Sequence, residues 1–254
     1  MNIRQMQILE VVRTSGRASV EELSAGLGVT PQTIRRDLAE LADQGVLDRV
    51  HGGAILRSGA SNIAYAERRR MNEEAKAAIG RACAAQIPDN SSVILNIGTT
   101  TEAVARALLG HRNLTVVTNN MNVANILAAN DSCEVLVAGG LLRRTDGGLI
   151  GDLTSEFMAN FKTDYAIIGC SALDEDGDIL DFDLAEVRVS RAILQQGRER
   201  WLVTDSAKLA QKAPIRVASL AQLDALFIDQ PVPESLCKMC DAGGTRVVVA
   251  PPGS

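Results

Sequence analysis

The sequence predicts an α/β protein in two parts: a small helical head closed by a β-hairpin, and a larger body built on a parallel sheet. Three observations carry this. Residues 18–54 hold two capped helix patterns around a tight turn, followed by alternating residues and a glycine pair. From Asn72 onward, short β-rich runs alternate with helical runs, the signature of a parallel sheet covered by helices. At 254 residues the chain has the length of about two domains.

Ser19 opens the first helix of the head, with Glu22 completing a capping box, and the pattern runs through Leu23 to a stop at Gly26 to Gly28. Thr30 caps a second helix that begins at Pro31, where a missing N–H forfeits no hydrogen bond. Ile34, Leu38 and Leu41 then recur on one helical face, which leaves Gln32, Thr33, Arg35 and Arg36 on the others. Gln pairs bidentately with adenine and Arg with guanine in a major groove, while hydroxyls and further Arg hold phosphates. Past Gly45, V-L-D-R-V alternates, H-G-G-A permits a tight turn and I-L-R returns, so a wing is expected, with Arg49 and His51 placed for backbone contact. Residues 1–57 are therefore expected to be a winged helix-turn-helix. Its contacts with double-stranded DNA are assigned to Ser19, Thr30, Gln32, Thr33, Arg35, Arg36, Arg49 and His51.

Composition narrows the remainder. Aromatic residues are 3% of the chain, so Leu, Val, Ile and Ala must fill the cores. No run of roughly 18 apolar residues occurs, and M-N-I-R-Q-M-Q-I-L-E lacks the apolar centre of a signal peptide, so a cytoplasmic protein without a membrane partner is expected. Five scattered cysteines, at 83, 133, 170, 237 and 240, fit reduced thiols, with Cys237 and Cys240 on one face of a short late helix. His51 and His111 are the only histidines, and no metal site is indicated. The net charge of −5 is unevenly spread: residues 1–70 carry 10 Lys and Arg against 8 Asp and Glu, and residues 71–254 carry 16 against 23. That polarity suits a head for an anionic polymer on an acidic body, although so small an excess would not by itself predict DNA binding. Residues 58–71, poor in core residues and holding Arg68, Arg69 and Arg70, are read as the linker, the arginines being a solvated charge run or added phosphate contacts.

In the body, residues 72–254, a helix from about Glu73 to Ile87 precedes strand S-V-I-L-N-I, the loop G-T-T-T and helix E-A-V-A-R-A-L-L. Strand L-T-V-V-T ends in N-N before helix M-N-V-A-N-I-L-A-A, and strand E-V-L-V-A stops at Gly139 and Gly140. Later strands are D-Y-A-I-I-G, W-L-V-T-D, A-L-F-I-D and T-R-V-V-V. Parallel sheets place ligands beyond the carboxyl ends of their strands. Consecutive strands here end in Gly98, Thr99, Thr100 and Thr101, in Thr118, Asn119 and Asn120, and in Gly139 and Gly140, so one shared pocket is expected. Gly98 lets backbone approach a ligand, and the threonines stand at a helix start, where N–H groups and the dipole favour an anion such as phosphate. The loop is neither a lysine-bearing P-loop nor G-x-G-x-x-G, so no nucleotide cofactor is expected. Downstream, Asp181, Asp183 and Glu186 surround a helix start and Asp205 and Lys208 follow a strand, offering acceptors for hydroxyls and a cation for phosphate.

In these motifs the chain resembles the DeoR family of bacterial transcriptional repressors along nearly its whole length. V-T-P-Q-T-I-R-R-D-L and R-V-H-G-G-A match the family's head signature; I-G-T-T-T, V-T-N-N, V-A-G-G, G-L-I-G-D, Glu186 and D-S-A-K match its body. A-Y-A-E-R, L-N-I-G-T-T-T-E-A-V-A-R-A-L-L and I-L-D-F-D-L-A-E-V-R-V-S are most similar to its glycerol-phosphate branch. The resemblance implies a sugar-phosphate-isomerase-like body, a homo-oligomer, and release from operator DNA on binding sn-glycerol 3-phosphate. Many members carry aspartate where this chain has Asn96; the amide removes a negative charge beside the expected phosphate and donates a hydrogen bond, which suits an anionic effector. Many carry serine at position 207, where Ala207 lacks the hydroxyl and is left out of the pocket.

The expected mechanism is linkage: effector favours the conformation that holds DNA weakly, and DNA weakens effector binding in return. Phosphate is assigned to Gly98 through Thr101 with Lys208, and the glycerol hydroxyls to Asn119, Asn120, Asp181, Asp183 and Glu186. Two rival readings remain: the same architecture sensing another sugar phosphate, and a body that is an active sugar-phosphate isomerase. A single recognition helix reads few base pairs, so paired heads on spaced half-sites are expected, as a dimer or tetramer.

Overall fold

The stripe of Ile34, Leu38 and Leu41, each at most 1% exposed, organises the head. The structure is a computed structural model describing residues 2–15, 17–43, 47–50, 52–56, 65, 68–251 and 253. By its internal contacts the chain divides into two units, Met1–Ala66 and Glu67–Ser254. His51, Arg57 at the end of the expected head and most of the expected linker (58–64, 66 and 67) lie outside the described residues.

In the head, α1 (Ile3–Ser15), β1 (Arg17–Ser19), α2 (Val20–Leu27) and α3 (Pro31–Asp43) lead to the wing strands β2 (Leu47–Val50) and β3 (Gly53–Leu56). The sequence pattern gave α2, α3 and the wing but neither α1 nor β1. Ile8, Leu9 and Val12 of α1 enter the core against Leu23, Ile34 and Leu38, and β1 pairs with β3, making a β1-β3-β2 antiparallel sheet. The expected capping box is formed: Ser19 accepts from the Glu22 N–H at 3.1 Å and Glu22 accepts from the Ser19 N–H at 2.8 Å. α2 stops one residue before Gly28, whose φ of 64° is the left-handed conformation that closes helices and that glycine adopts without strain.

The body begins with α4 (Glu73–Ala84), β4 (Ser92–Leu95), α5 (Thr99–Ala107), β5 (Leu114–Thr118), α6 (Met121–Leu127) and β6 (Cys133–Val137). A hairpin, β7 (Leu141–Arg143) and β8 (Gly148–Ile150), precedes α7 (Asp152–Met158) and β9 (Thr163–Ile168). Then come β10 (Ala172–Leu173), β11 (Asp178–Asp181), α8 (Leu184–Leu194), β12 (Gly197–Val203), β13 (Ile215–Ser219), β14 (Ala225–Ile228), α9 (Glu234–Gly243) and β15 (Arg246–Val249).

All seven expected strands form one parallel sheet in the order β15-β14-β12-β9-β4-β5-β6. Both faces are covered, as parallel sheets require. Val93 and Leu95 of β4 join Ile79 and Cys83 of α4 on one side, where Trp201 packs between Tyr165 and Phe227 with centroids 4.5 and 5.1 Å away. Ile94, between them in sequence, joins Val187 and Ile193 of α8 on the other. Gly80 permits the close approach of α4 to α5, since a Cβ there would lie 2.6 Å from the Ala103 carbonyl oxygen. The chain builds outward from β4 through β5 to β6, then returns to place β9 on the other side of β4. That reversal is a topological switch point, and the ends of β4 and β9 open beside it. The hairpin β7-β8 and the antiparallel patch β10-β11-β13 were not anticipated.

Candidate functional sites

On the head, α3 carries its core stripe inward and leaves Gln32, Arg35 and Arg36 exposed and Thr33 partly so. The helix is held from behind by α1: Arg4 bonds the buried Asp37 through Nε at 2.5 Å and Nη2 at 3.2 Å, and Gln5 Nε2 donates to Glu40 at 2.7 Å. Arg36 pairs with Glu40 at 3.2 Å on the surface. The Thr30 hydroxyl receives the Thr33 N–H at 3.3 Å and meets the Thr33 hydroxyl at 2.9 Å. Ser19 and Thr30 thus use their oxygens as caps, while Gln32 and Arg35 present outward-facing donors. Arg49 is exposed on β2.

In the body, Gly98 takes φ 149° and is the N-cap of α5, so the helix begins at Thr99 and its threonines form the first turn. Residue by residue, the pocket differs from expectation. Thr101 is fully buried and donates to the carbonyls of Asn96 and Gly98 at 2.8 Å each, so its hydroxyl closes the loop instead of reaching a ligand. Thr118 donates to the Leu95 carbonyl at 2.7 Å and accepts from the Asn120 N–H at 3.0 Å. Gly140, at φ 138°, makes room for α7, because a Cβ would lie 2.1 Å from the Thr154 hydroxyl, which itself donates to the Gly139 carbonyl at 2.8 Å. Both glycines are exposed; Gly140 serves packing, whereas a Cβ at Gly139 would meet open space and only its carbonyl is engaged, by Thr154. The loop donors left for an anion are the backbone and the hydroxyls of Thr99 and Thr100.

Three asparagines at the ends of β4 and β5 are buried to 2% exposure or less, and each keeps a polar atom without a partner: Asn96 Oδ1, Asn119 Oδ1 and Asn120 Nδ2. Asn96 gives its Nδ2 to Ser190 at 2.8 Å, Asn119 gives its Nδ2 to the Leu149 carbonyl at 3.1 Å, and Asn120 caps α6 through Oδ1. The free end of Asn96 is therefore an acceptor, not the donor that its comparison with aspartate suggested. Exchanging the two ends of the amide, with the Ser190 hydroxyl donating, presents Nδ2 instead.

The acidic residues gather around a cation that sequence reading missed. Arg143, at the end of β7, bonds Asp146 at 2.6 and 2.9 Å, Glu186 at 2.6 Å and Asp183 at 3.3 Å. Burial works against the Arg143 charge, but Asp146 and Glu186 outweigh it and hold its pKa above the ordinary value. Arg68, whose Nη2 lies 3.9 Å from Asp146 Oδ2, is a second guanidinium at the edge of the cluster, and the four carboxylates Asp146, Asp181, Asp183 and Glu186 still outnumber the two cations. Burial, reinforced by the charge of Asp181 and opposed by Arg143, accordingly pushes Glu186 up to about 7. Asp181, bonded by Ser171 Oγ at 2.9 Å and the Phe182 N–H at 2.7 Å, is raised by burial as well. Asp183 caps α8 through the Ala185 N–H at 2.8 Å and is half exposed, so it stands at the rim.

A second missed cation is Lys76, 6% exposed on the first turn of α4. Burial lowers its pKa to about 8; Asp205 opposes this, and the nearby charges of Lys208 and Arg68 add to it. Lys208 donates to Gln211 at 3.0 Å. Lys76 and Thr99 also border a cleft of about 620 Å³ along α4 and α5, with Arg69, Ala103 and Arg106. That cleft runs along the helices, not across the strand ends, and the unpartnered asparagine atoms mark the better ligand site. The free cysteines are buried or half buried, and no metal-binding cluster is found among the described residues.

Family models place these two sites in context. A DeoR-like helix-turn-helix domain matches residues 4–59 and a DeoR C terminal sensor domain matches residues 71–230. The chain belongs to the DeoR family. The glycerol-3-phosphate regulon repressor of Escherichia coli (strain K12) is 44% identical to it over 236 residues, spanning 93% of this chain and 94% of the relative. The Haemophilus influenzae protein of the same name is 43% identical over 248 residues, spanning 98% and 96%. Among solved structures, ribose 5-phosphate isomerase A of Methanocaldococcus jannaschii overlaps 54% of this chain and 55% of its own at 12% identity, with a TM-score of 0.40.

Within this DeoR-family chain, Lys76 and Arg143 carried signals that could have exposed them. Lys76 sits with Ile79 and Cys83 on an otherwise apolar helical stripe, where a lone lysine is out of place unless it has a task. T-D-G-G after Arg143 and Arg144 is a hairpin turn, and strand alternation sends one of two adjacent arginines inward.

Proposed function

We propose that this protein is a DNA-binding transcriptional repressor of glycerol and glycerol 3-phosphate metabolism, released from its operator when sn-glycerol 3-phosphate fills the strand-end site of the body. The observation that carries the effector half is the set of unpartnered atoms on Asn96, Asn119 and Asn120. A buried polar group left unsatisfied costs about 1–3 kcal/mol, so three together favour a polar occupant. In this reading the phosphate lies at the amino end of α5, against Gly98, Thr99 and Thr100, with Lys208 nearby, because the Arg143 cluster holds excess negative charge and repels an anion. The hydroxyls lie toward Asn119, Asn120, Asp181 and Glu186, which offer the acceptors and donors a polyol needs. The names of the relatives support the effector class and the repressor role.

The body is read as a sensor and not an isomerase, and the protein as a cytoplasmic homo-oligomer. No helix among the described residues is long and apolar enough to cross a membrane. Exposed Leu141, Leu142, Leu153, Phe182 and Leu184, on adjoining elements, offer surface for a second copy. Purified protein on a labelled operator fragment, titrated with a panel of sugar phosphates, tests the proposal. Dissociation by sn-glycerol 3-phosphate at the lowest concentration is expected. Retention on DNA throughout sinks it, and stronger release by another member of the panel transfers it to that effector. Conversion of any panel member by the same protein would restore the enzyme reading.

A further inference from the structure

The covalent path from the head enters the body through Arg68 to Asn72, and this short segment is tied down by side chains of α4, of the β7-β8 turn and of the stretch after β12. Lys76 Nζ donates to the carbonyl oxygen of Arg68 and to that of Met71, the latter at 2.7 Å. Asn72, at φ 54° before the first turn of α4, donates from Nδ2 to Asp205 Oδ1 at 3.0 Å. Arg68 Nη2 lies 3.9 Å from Asp146 Oδ2, the acid that also holds Arg143, and Arg68 Nε has no partner. Asp205 follows the end of β12 and is 2% exposed. Of these holds, Asp146 also pairs with Arg143, and Lys76 shares a cleft with Thr99 at the start of α5.

Among these holds the Lys76 bond is the one that an arriving anion competes for. Its ammonium is buried, no ion pair to it is found among the described residues, and its partners are two neutral carbonyls. Lys208 and Arg68 place further positive charge beside it, and Thr99 borders the same cleft. A phosphate at the start of α5 offers charged oxygens, which add to the hydrogen bond an ion-pair attraction that a neutral carbonyl does not give an ammonium.

We propose that Lys76 is a clasp shared between the effector site and the joining segment: bound phosphate draws the ammonium away from the Arg68 and Met71 carbonyls and frees the segment that leads to the head. This rests on the effector reading above. It gives that reading a physical route, since a ligand that rewards one arrangement of Lys76 shifts the equilibrium of whatever the other arrangement holds.

The run Arg68-Arg69-Arg70 supplies its own probe, because trypsin cleaves there only when the segment opens. Full-length protein is treated with trypsin, with and without saturating sn-glycerol 3-phosphate, and cleavage is followed by intact mass while calorimetry measures binding. Wild type is expected to be cleaved slowly when free and about tenfold faster with ligand, as expected when a buried charged hydrogen bond is exchanged. Lys76→Met is expected to be cleaved fast without ligand and to respond no further. Asn72→Gly, which keeps the left-handed backbone and removes only the Asp205 hold, is expected to be cleaved faster than wild type without ligand even if Lys76→Met fails to fold. Wild-type rates in both ligand-free variants overturn the clasp, as does wild type that binds ligand calorimetrically yet is cleaved no faster. If wild type binds no sugar phosphate, the effector reading falls and the ligand-driven release falls with it, an outcome that the calorimetry separates from failure of the clasp alone.

Discussion

In the head, Gln32 and Arg35 stand exposed on a helix whose buried acid, Asp37, is paired with Arg4, whereas at the strand ends of the body Asn96, Asn119 and Asn120 are buried with an atom each left without a partner. The two regions solve recognition differently. The head presents a finished surface, with no buried side-chain polar atom lacking a partner among its described residues, so a groove can meet it without rearrangement. The body keeps a deficit inside, together with surplus negative charge around Arg143 and a buried ammonium on neutral partners. A site with such a deficit changes when it is filled, which is what a sensor must do and a reader need not.

The sharpest way to break this contrast is Arg143→Ala. The side chain is 20% exposed, and its loss leaves the mostly buried Glu186 without its cation and the buried Asp146 with only the more distant Arg68. Removing one partner of a buried pair costs about 3–5 kcal/mol, so denaturant unfolding of the body is expected to show a loss of that order, with sugar-phosphate binding abolished and operator binding of any folded protein retained. A loss below about 1 kcal/mol would mean the cluster is solvated like a surface pair, and the contrast would be gone. Ile34→Ala makes the converse test. Ile34 is fully buried in the head core, and truncation of such a residue costs about 2–5 kcal/mol. The head is expected to melt in a separate, lowered transition while calorimetry still finds the body binding its effector. Loss of both activities together would show that the two units do not fold independently.

What the sequence made legible follows from how far each signal reaches along the chain. α2 and α3 were readable because caps and stripe lie within Ser19 to Leu41, and the seven strands because each is one short apolar run closed by turn residues. α1 escaped because buried Ile8, Leu9 and Val12 are mixed with exposed Met6 and Val11, so no clean stripe appears. In the pocket, strand-end positions were local and visible, but the duties of their atoms were not. Whether the Thr101 hydroxyl faces a ligand or its own loop depends on backbone oxygens that only the fold positions. Arg143 and Glu186 meet across more than forty residues of sequence, through a hairpin whose register decides that Arg143 and not Arg144 turns inward.

A smaller effect sharpens the head's side of the comparison. Arg35→Ala is expected to lower operator affinity by about 1–3 kcal/mol in a fluorescence titration, with effector binding unchanged. Arg36, 82% exposed and already paired with Glu40, is expected to matter less. Equal losses from both would assign the helix to phosphate contact alone and remove base reading from Arg35.

The smallest effect tests the surplus charge itself. Glu186 rises from an ordinary 4.5 to about 7, through burial first and the charge of Asp181 second, against the pull of Arg143. A folded-state pKa above the unfolded one means that the folded protein holds the proton more tightly, so this group's stabilising contribution is complete below about 4.5 and disappears as pH rises through about 7. Across that window Glu186 lowers body stability with rising pH, by at most about 1.4 kcal/mol per pH unit. Asp164, held low by its bonds from Ser92, acts in the opposite sense and below 3.8, outside the window. Thermal melts at successive pH values are therefore expected to show a steeper decline for wild type than for Glu186→Gln, which cannot titrate. Parallel curves for the two proteins would mean that Arg143 fully neutralises its carboxylates, and the body site would then be as electrostatically complete as the head.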